Sequence, residues 1–332
     1  MKTKKLFILF SAIVILSLTA LPAAAAEIPQ SVSEYMARLA VGKLYVPYYT
    51  ISSEAESEES VEQEHSQPWY PPQAEEHSEE SVPDGMIAVQ AVNLSRYELF
   101  ETPPMLLINE TSYTADLLNE AKDLKGGAVL ILHTHGTEAY LPDGAEYYTE
   151  DEDFRSTNEA ETVVAVGEAF AGVLREAGIE VYHDTTMYDA RDFQNAYAAS
   201  RAGARTWLSR HPNIRYIIDI HRDAVTRGDA SCKTLCLGTA EPTAQVMLVI
   251  GTDAAGANHP KWTKNLAVAA SYQRLLNDHP TLARPVYLRK ASYNQQLSEG
   301  AILLEIGSAA NTITEAKNAA VLAAKAFVKL FS

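Results

Sequence analysis

The second half of the chain alternates between short apolar runs and longer amphipathic stretches. The apolar runs are rich in β-branched residues and predict strands at 105–109, 128–133, 179–182, 216–220, 245–251, 285–288 and 302–306. Helical periodicity predicts helices at 159–177, 196–209, 262–277 and 313–330. Continuous apolar strands that alternate with helices are typical of a sheet buried on both faces. The pattern therefore predicts an α/β fold, a three-layer sheet with helices on both faces.

The chain begins with a positively charged stretch followed by a mainly apolar run. Lys2, Lys4 and Lys5 precede the run 6–26, which ends in consecutive alanines. This order is typical of a signal peptide with a small-residue cleavage site. The run is also long enough to cross a bilayer as an uncleaved anchor. Both interpretations stay open, and both place the remaining residues outside the cytoplasm.

An acidic segment separates this run from the predicted sheet. No Lys or Arg occurs from 44 to 95, and residues 52–84 are dense in Glu and Ser. Low hydrophobicity with charge of one sign cannot bury enough surface to offset the entropy of ordering, which predicts a disordered tether. An acidic docking segment for a partner is the alternative. The predicted organisation is a signal peptide or anchor at 1–26, a short amphipathic segment at 27–48, an acidic linker at 49–84 and a catalytic domain at 85–332.

The charge and the cysteines exclude several classes of function. The net charge is −16, and nucleic-acid binding needs clustered Lys and Arg, so no nucleic-acid partner is expected. The sequence contains no glycine-rich phosphate-binding motif, which leaves a nucleotide cofactor unsupported. Cys232 and Cys236 would close a small disulfide only if the chain turned between them. In an extended strand their Cα atoms would be about 13 Å apart, too far to bridge.

Residues suited to metal or acid–base chemistry lie in or just after three of the predicted strands. They are His133 at the end of 128–133 with His135 and Glu138 just after it, Asp219, His221, Arg222 and Asp223 around the end of 216–220, and Glu305 within 302–306. A carboxylate inside a buried strand is costly unless it is paired or bound to a metal. Two imidazoles and a carboxylate are the ligands of a catalytic zinc site that keeps a position open for water. Because a further carboxylate can accept a proton from that water, we expect a zinc-dependent hydrolase site at these strand ends.

Six motifs together resemble the stage II sporulation protein P family of peptidoglycan hydrolases. They are His-Thr-His-Gly-Thr-Glu at 133–138, Val-Val-Ala-Val-Gly at 163–167, Tyr-Ala-Ala-Ser-Arg at 197–201, Ile-Asp-Ile-His-Arg-Asp at 218–223, Tyr-Asn-Gln at 293–295 and Leu-Leu-Glu-Ile-Gly at 303–307. The family is similar to zinc-dependent N-acetylmuramoyl-L-alanine amidases. The resemblance implies a phosphorylase/hydrolase-like fold, as in zinc amidases and carboxypeptidases. It also implies amidase and endopeptidase activity on the peptide stem, in septal wall thinning and engulfment during sporulation.

The resemblance implies roles for individual residues. His135 is the expected first zinc ligand, because the Gly-His-Gly-Gly strand end of the related amidases aligns best with the segment Thr-His-Gly-Thr. His221 is the expected second ligand, and Glu305 corresponds to the catalytic glutamate. For the third ligand we favour Glu138, since His-x-x-Glu is the zinc pair of carboxypeptidases. The alternative is Glu161, which opens a helix where amidases place a ligand glutamate.

The other polar residues of these motifs are expected to support the site. His133 lies two residues before the first expected ligand, which predicts the same strand face and a contact to substrate or to a ligand. Asp219 and Asp223 are expected to orient imidazoles. Arg222 would either polarise the scissile carbonyl or pair with a carboxylate. Asn294 would either contact the peptide stem or form a turn.

The resemblance also implies partners, and two rival functions stay open. The expected partners are peptidoglycan, the membrane if the N-terminal anchor is retained, the sporulation lytic transglycosylase of stage II and other engulfment membrane proteins. The expected location is extracytoplasmic, either membrane-anchored or secreted, at the sporulation septum. One rival is a catalytically inactive module that binds cell wall or activates a partner. The other is a zinc carboxypeptidase, which needs an arginine to hold a free carboxylate, and Arg222 is the evident strand-end candidate.

Overall fold

The computed structural model describes residues 82–83, 85–94, 107–113, 126–279 and 281–331. The predictions for 1–26 and 27–48, and nearly all of the prediction for 49–84, fall outside the described residues. Within the described ranges, no helix combines the length and the apolarity that a membrane crossing requires. The domain boundaries therefore stay predictions.

The described part of the chain contains the elements that the apolar pattern predicts. In chain order the strands are β1 (Met86–Ala88), β2 (Gln90–Val92), β3 (Leu107–Asn109), β4 (Ala128–Leu132), β5 (Tyr147–Thr149), β6 (Val181–His183), β7 (Ile214–Asp223), β8 (Thr226–Arg227), β9 (Ala230–Cys236), β10 (Thr243–Ala244), β11 (Val246–Gly251), β12 (Val286–Arg289) and β13 (Gly300–Ser308). The α-helices are α1 (Val163–Glu176), α2 (Ala196–Arg210), α3 (Trp262–Leu276) and α4 (Ile313–Phe331). The helix predicted at 159–177 differs at its start, where the 3-10 turn Glu159–Glu161 precedes α1. The side chain of Thr162 caps α1 by accepting a hydrogen bond from the backbone N–H of Val164 at 3.3 Å.

The main sheet contains the seven predicted strands in the order β3-β12-β11-β13-β7-β4-β6. Its pairs are parallel, except that β11 runs antiparallel to β13. As a result β13, β7, β4 and β6 all end at one edge of the sheet. Sheets of this kind bind ligands outside the carboxyl ends of their strands, so this edge is the place to look for a site.

Helices cover both faces of the main sheet. Ile218 of β7 lies in the core that α1, α3 and α4 share, where Phe170 and Phe327 are fully buried. Its neighbour Ile217 packs with Ala204 of α2 on the other face, since successive strand residues point to opposite faces. The predicted three-layer α/β fold is therefore confirmed.

A second sheet, which the apolar pattern did not predict, is built on β9. This strand pairs in parallel with β2 and antiparallel with β8 and β10. These three partners are only two or three residues long, too short to leave a periodicity in the sequence. Cys232 and Cys236 both lie in β9 as buried free thiols, so the extended spacing that argued against a disulfide is observed.

Candidate active site

The carboxyl ends of β7 and β13 bring a histidine and a glutamate side by side. His221 of β7 and Glu305 of β13 are register partners in neighbouring parallel strands. Register partners project from the same face of a sheet, and here that is the face covered by α2. The edge where the parallel strands end therefore carries an imidazole beside a carboxyl group.

The turn after β4 adds a second histidine and a second glutamate to this edge. The ring centroids of His135 and His221 are 5.4 Å apart. Glu138 Oε2 lies 3.3 Å from His221 Nδ1 and accepts a hydrogen bond from the backbone N–H of Arg222 at 3.1 Å. We call His135, Glu138, His221 and Glu305 the His–Glu cluster. The structure thus brings together the three favoured ligands and the glutamate expected to be catalytic.

His221 lies between two carboxylates. Its Nε2 is 3.0 Å from Asp219 Oδ1, but without the geometry of a hydrogen bond. Burial alone would lower the pKa of His221, yet Asp219 and Glu138 outweigh burial and raise the pKa well above its ordinary value. Asp219 is itself fixed, because it accepts hydrogen bonds from the backbone N–H of Thr134 at 2.9 Å and from its hydroxyl at 2.6 Å. The carboxylates of Asp219 and Glu138 therefore stabilise a positive charge at the position of this imidazole.

Glu305 is an acid with few stabilising contacts. Its Oε2 is buried and makes no hydrogen bond with the described residues. Burial, together with repulsion from Asp223 and Glu138, outweighs the attraction of His221 and raises the pKa of Glu305 to about 8. A carboxyl group with a pKa close to neutrality can both accept and return a proton near pH 7.

Aromatic rings and a carboxylate surround His135. Phe193 stacks on the imidazole with ring centroids 4.5 Å apart, and Tyr197 meets its edge at 5.5 Å. Asp189 Oδ2 lies 3.6 Å from His135 Nδ1. The sequence assigned no role to these three residues, because Asp189 and Phe193 lie in the segment between β6 and α2, which carries no strand pattern, and Tyr197 lies in a predicted helix. Only the motif at 197–201, which contains Tyr197, gave a signal.

The donor set of the His–Glu cluster fits a divalent cation in its chemistry. His135 Nδ1 and Glu305 Oε2 are buried without a hydrogen-bond partner in the described part of the chain, and His221 Nδ1 lies on the side of Glu138 while its Nε2 faces Asp219. Leaving such atoms unpaired costs free energy, and a bound cation would satisfy them. Among the residues that the structure describes, however, no three His, Cys, Asp or Glu side chains already surround a common point. Metal binding would therefore require side-chain rotations.

His133 does not share a face with His135, contrary to the expectation from spacing. His133 keeps the alternation of β4 and points, like Val129 and Ile131, to the face covered by α1, where it is fully buried, whereas His135 lies in the turn beyond the end of the strand at Leu132. His133 Nδ1 lies 3.0 Å from the carbonyl oxygen of Ile220. Burial lowers the pKa of this imidazole to about 3, and its position rules out a substrate contact.

Glu161, the alternative third ligand, lies at the surface. Its two carboxylate oxygens accept hydrogen bonds from the Ser156 hydroxyl and the Asn158 amide, both at 2.8 Å. Among the described residues it makes no recorded contact with either histidine of the cluster. The structure therefore favours Glu138 over Glu161 on position.

The expectations for two further strand-end residues are corrected. Among the described residues, the Arg222 side chain pairs with no carboxylate side chain, and it points away from the cluster. Its Nε donates to the carbonyl of Ala139 and its Nη2 to that of Phe154, both at 2.6 Å. Asp223 contacts no imidazole among the residues that the structure describes and instead forms an ion pair with Arg284 Nη1 at 2.7 Å. Of the two aspartates, only Asp219 lies beside a cluster histidine.

Asn294 has the turn role that the sequence left open. It adopts the left-handed conformation, with φ of 57°, before a short 3-10 turn. Its side-chain amide donates to the carbonyl of Tyr197 at 2.8 Å and to the hydroxyl of Ser200 at 3.1 Å. This residue therefore ties the segment before β13 to helix α2.

Fold and site together define an α/β protein with a histidine- and glutamate-lined centre at a sheet edge. The chain belongs to the Stage II sporulation protein P (SpoIIP) family, whose model matches residues 31–328. It is 28% identical over 215 residues to "Stage II sporulation protein P" of Bacillus subtilis (strain 168), across 61% of this chain and 51% of that protein. The chain thus spans about half the length of this curated relative. The family resemblance drawn from the motifs is confirmed.

Solved amidase structures show a weaker likeness. The N-acetylmuramoyl-L-alanine amidase AmiC2 of Nostoc punctiforme matches with a TM-score of 0.36 and 13% identity, covering 63% of this chain and 97% of that one. The N-acetylmuramoyl-L-alanine amidase from Clostridium difficile 630 matches with a TM-score of 0.38 and 14% identity, covering 62% and 95%. These values are too low to carry an argument about function.

Proposed function

We propose that this chain is a peptidoglycan hydrolase of the amidase type that acts in sporulation. The bond that it cuts is the amide between N-acetylmuramic acid and L-alanine. The observation that carries the proposal is the pairing of Glu305 with His221 at the sheet edge, where the buried Oε2 of Glu305 has no hydrogen-bond partner among the described residues. Membership of the SpoIIP family supplies the link to sporulation.

The His–Glu cluster suits hydrolysis with the help of zinc. His135, Glu138 and His221 would hold the ion, which would act as a Lewis acid and lower the pKa of water at the site. Glu305 Oε2 accepts a proton from the attacking water, and the same oxygen returns that proton to the nitrogen of the leaving amine. Asp219 keeps the His221 ring in place through its fixed contacts with Thr134.

An N-terminal signal or membrane anchor is part of the proposal and rests on the charged start and apolar run 6–26 of the sequence. Cleavage of peptide cross-links, action at the sporulation septum, and partnership with a lytic transglycosylase and other engulfment proteins rest on the family alone. The carboxypeptidase alternative loses its expected carboxylate-binding group, because Arg222 is committed to backbone carbonyls.

The test of the proposal is a cleavage assay with the full chain and purified peptidoglycan. Products are identified by mass spectrometry after chelation and after zinc is added back. We expect chelation to stop the release of free stem peptides and zinc to restore it, and we expect Glu305→Gln to abolish it. Glu299→Gln is the matched control, because Glu299 directly precedes β13 but forms surface ion pairs with Lys261 and Lys264.

Other outcomes decide between the functions. Tight binding to the wall without cleavage under any metal would replace the amidase by the inactive binding module. Release of single C-terminal amino acids instead of whole stem peptides would indicate a carboxypeptidase. Cleavage that persists in Glu305→Gln would remove Glu305 from the mechanism.

A further inference from the structure

Phe193 is an exposed aromatic side chain beside the His–Glu cluster. It is 49% exposed, and among the large apolar side chains of the described residues only Val82 is comparably open to solvent. Its ring lies against His135, and the guanidinium carbon of Arg155 lies 4.7 Å from the ring centroid. An aromatic ring left open next to a reactive centre offers a flat apolar face to a ligand.

Arg155 is fixed in place next to this ring. Its Nη1 donates to Asp189 Oδ2 and to the hydroxyl of Thr137, both at 2.8 Å. Asp189 is buried and also accepts hydrogen bonds from the hydroxyl and the backbone N–H of Thr137, at 2.6 and 3.1 Å. The Nε and Nη2 groups of Arg155 make no recorded hydrogen bond with the described residues. The guanidinium thus keeps donors for a ligand, and little entropy is lost when they bind it.

These residues line one groove of about 340 Å³. The other residues of its wall are Ser156, Thr157 and Ala190. We call it the Phe193 groove. Its volume is at the low end for small-molecule sites, enough for one ring-sized group. Two of its residues, Phe193 and Asp189, also touch His135, so the groove adjoins the cluster.

The charge of the Phe193 groove disfavours an anionic ligand. Asp189 compensates the charge of Arg155, and the preceding residues 150–153 are all acidic. A carboxylate would gain no net attraction from the ion pair of Asp189 and Arg155 in the groove wall, whereas neutral oxygen atoms would accept from the free guanidinium donors without repulsion. Hydroxyl groups of Ser156 and Thr157 add donors and acceptors. A flat apolar face with neutral polar groups around it matches a sugar ring, whose two faces are apolar and whose rim carries hydroxyl and amide groups.

We propose that the Phe193 groove binds the N-acetylated sugar ring of the muramoyl group, with the ring on Phe193 and its oxygen atoms on Arg155. This inference rests on the proposed function, because it assigns one half of the proposed substrate to a place. The sugar lies on the His135 side of the cluster, and the peptide stem leaves in the other direction. The groove therefore makes recognition depend on the glycan and not on the peptide alone.

The test compares two ligands on the full chain carrying Glu305→Gln, so that no bond is cut during the measurement. One ligand is the disaccharide-tetrapeptide of peptidoglycan, and the other is the same tetrapeptide without sugar. We expect tighter binding of the sugar-bearing ligand. Adding Phe193→Ala should weaken that binding about tenfold and leave binding of the free tetrapeptide unchanged, whereas Phe193→Trp should preserve both. Dissociation constants are measured by calorimetry, and thermal unfolding confirms that each variant folds.

Arg289→Gln is the matched control for Arg155→Gln. Arg289 also pairs with a carboxylate, Glu110 at 2.9 Å, and also lies over an aromatic ring, Tyr287 at 4.9 Å. It belongs to β12, which ends at the opposite edge of the sheet. We expect Arg155→Gln to weaken binding of the sugar-bearing ligand severalfold and Arg289→Gln to leave it unchanged.

Several results would contradict sugar binding in the Phe193 groove. They are a sugar-bearing ligand that binds no tighter than the free tetrapeptide, a Phe193→Ala effect equal for both ligands, and no Phe193→Ala effect at all. Cleavage of peptidoglycan by the unaltered chain is measured in parallel. If the chain cleaves peptidoglycan but its binding does not depend on Phe193, the proposed sugar site is wrong and the proposed function stands. If sugar binding depends on Phe193 but the chain does not cleave peptidoglycan, the proposed function is wrong and the sugar site stands.

Discussion

His133 Nε2 and His183 Nε2 lie 2.9 Å apart in a buried hydrogen bond beneath helix α1. His133 Nδ1 must donate to the carbonyl of Ile220, so its Nε2 carries the lone pair and His183 is the donor between them. His183 Nδ1 in turn faces Glu168 at 2.9 Å. A line of polar contacts thus runs from the surface of α1 to the residue that precedes His221.

Gly167 gives this pair of histidines its space. A Cβ atom at Gly167 would lie 2.5 Å from His133 Cε1, whereas a Cβ at Gly172 of the same helix would meet nothing within 4 Å. We expect Gly167→Ala to lower the free energy of unfolding by about 1–3 kcal/mol through overpacking. Gly172→Ala should raise it by about 0.5–1 kcal/mol through helix propensity. Urea denaturation of both variants checks this prediction, and equal effects of the two substitutions would contradict it.

Asp219 is expected to act through His221. It lies 3.0 Å from the imidazole and is held by Thr134, so Asp219→Asn keeps the shape but weakens the pull on the ring. Loss of such a supporting carboxylate lowers metal affinity or activity by about 10- to 100-fold. Zinc affinity from a competition assay with a chelating dye, together with the peptidoglycan assay, checks the effect. Asp278→Asn is the control, because that aspartate pairs with Lys329 at the surface. Unchanged zinc affinity in Asp219→Asn would remove Asp219 from this role.

Zinc should stabilise the fold if the His–Glu cluster binds it. An ion that binds the folded chain alone adds about 2.7 kcal/mol of stability at one hundred times its dissociation constant. We expect zinc to raise the midpoint of thermal unfolding of the full chain and His221→Ala to abolish this rise. His279→Ala, which alters an exposed histidine, should leave the rise intact. A rise of the same size in His221→Ala would place the zinc elsewhere.

His259 predicts a dependence of stability on pH. It is 1% exposed, and neither ring nitrogen has a hydrogen-bond partner among the described residues. Burial lowers its pKa, and the attraction of Asp253 opposes this only in part. The unfolded chain therefore binds a proton at a higher pH than the folded chain does. The contribution of His259 to stability is fully present above the unfolded pKa of about 6.5 and is lost as pH falls from there towards the lowered folded value.

The measurement for His259 is the free energy of unfolding at about pH 7.5 and about pH 5.5. Other groups titrate equally in the unaltered chain and in His259→Leu, so the difference between the two chains isolates this residue. We expect the unaltered chain to lose more stability on acidification than His259→Leu does. Parallel losses would show that His259 does not titrate in this range.

The strands and helices of the main sheet were predictable because their apolar faces impose a period on the sequence. The same period failed at His135, which lies in the turn after the strand ends at Leu132, where spacing by two no longer fixes a face. Sequence also gave no sign that Arg222 points away from the cluster towards backbone carbonyls. The alternating pattern therefore predicts which face of the sheet a residue occupies only within the strand, and not in the turn that follows it.

The groove beside the cluster was beyond prediction for a different reason. Arg155, Asp189 and Phe193 come from two loops that approach each other only in the folded chain. The local sequence of the two loops does not indicate that Asp189 accepts hydrogen bonds from Arg155 or that the ring of Phe193 lies on His135. These contacts are set by the packing of the loops and not by a repeating pattern.

Arg222 has a mechanical consequence for the whole edge of the sheet. Its backbone N–H holds Glu138, and its guanidinium holds the carbonyls of Ala139 and Phe154. Phe154 directly precedes Arg155, so one buried cation joins the loop of Glu138, a candidate metal ligand, to the loop of the groove. Because the same arginine bonds to both loops, a displacement of either loop would strain the hydrogen bonds that hold the other.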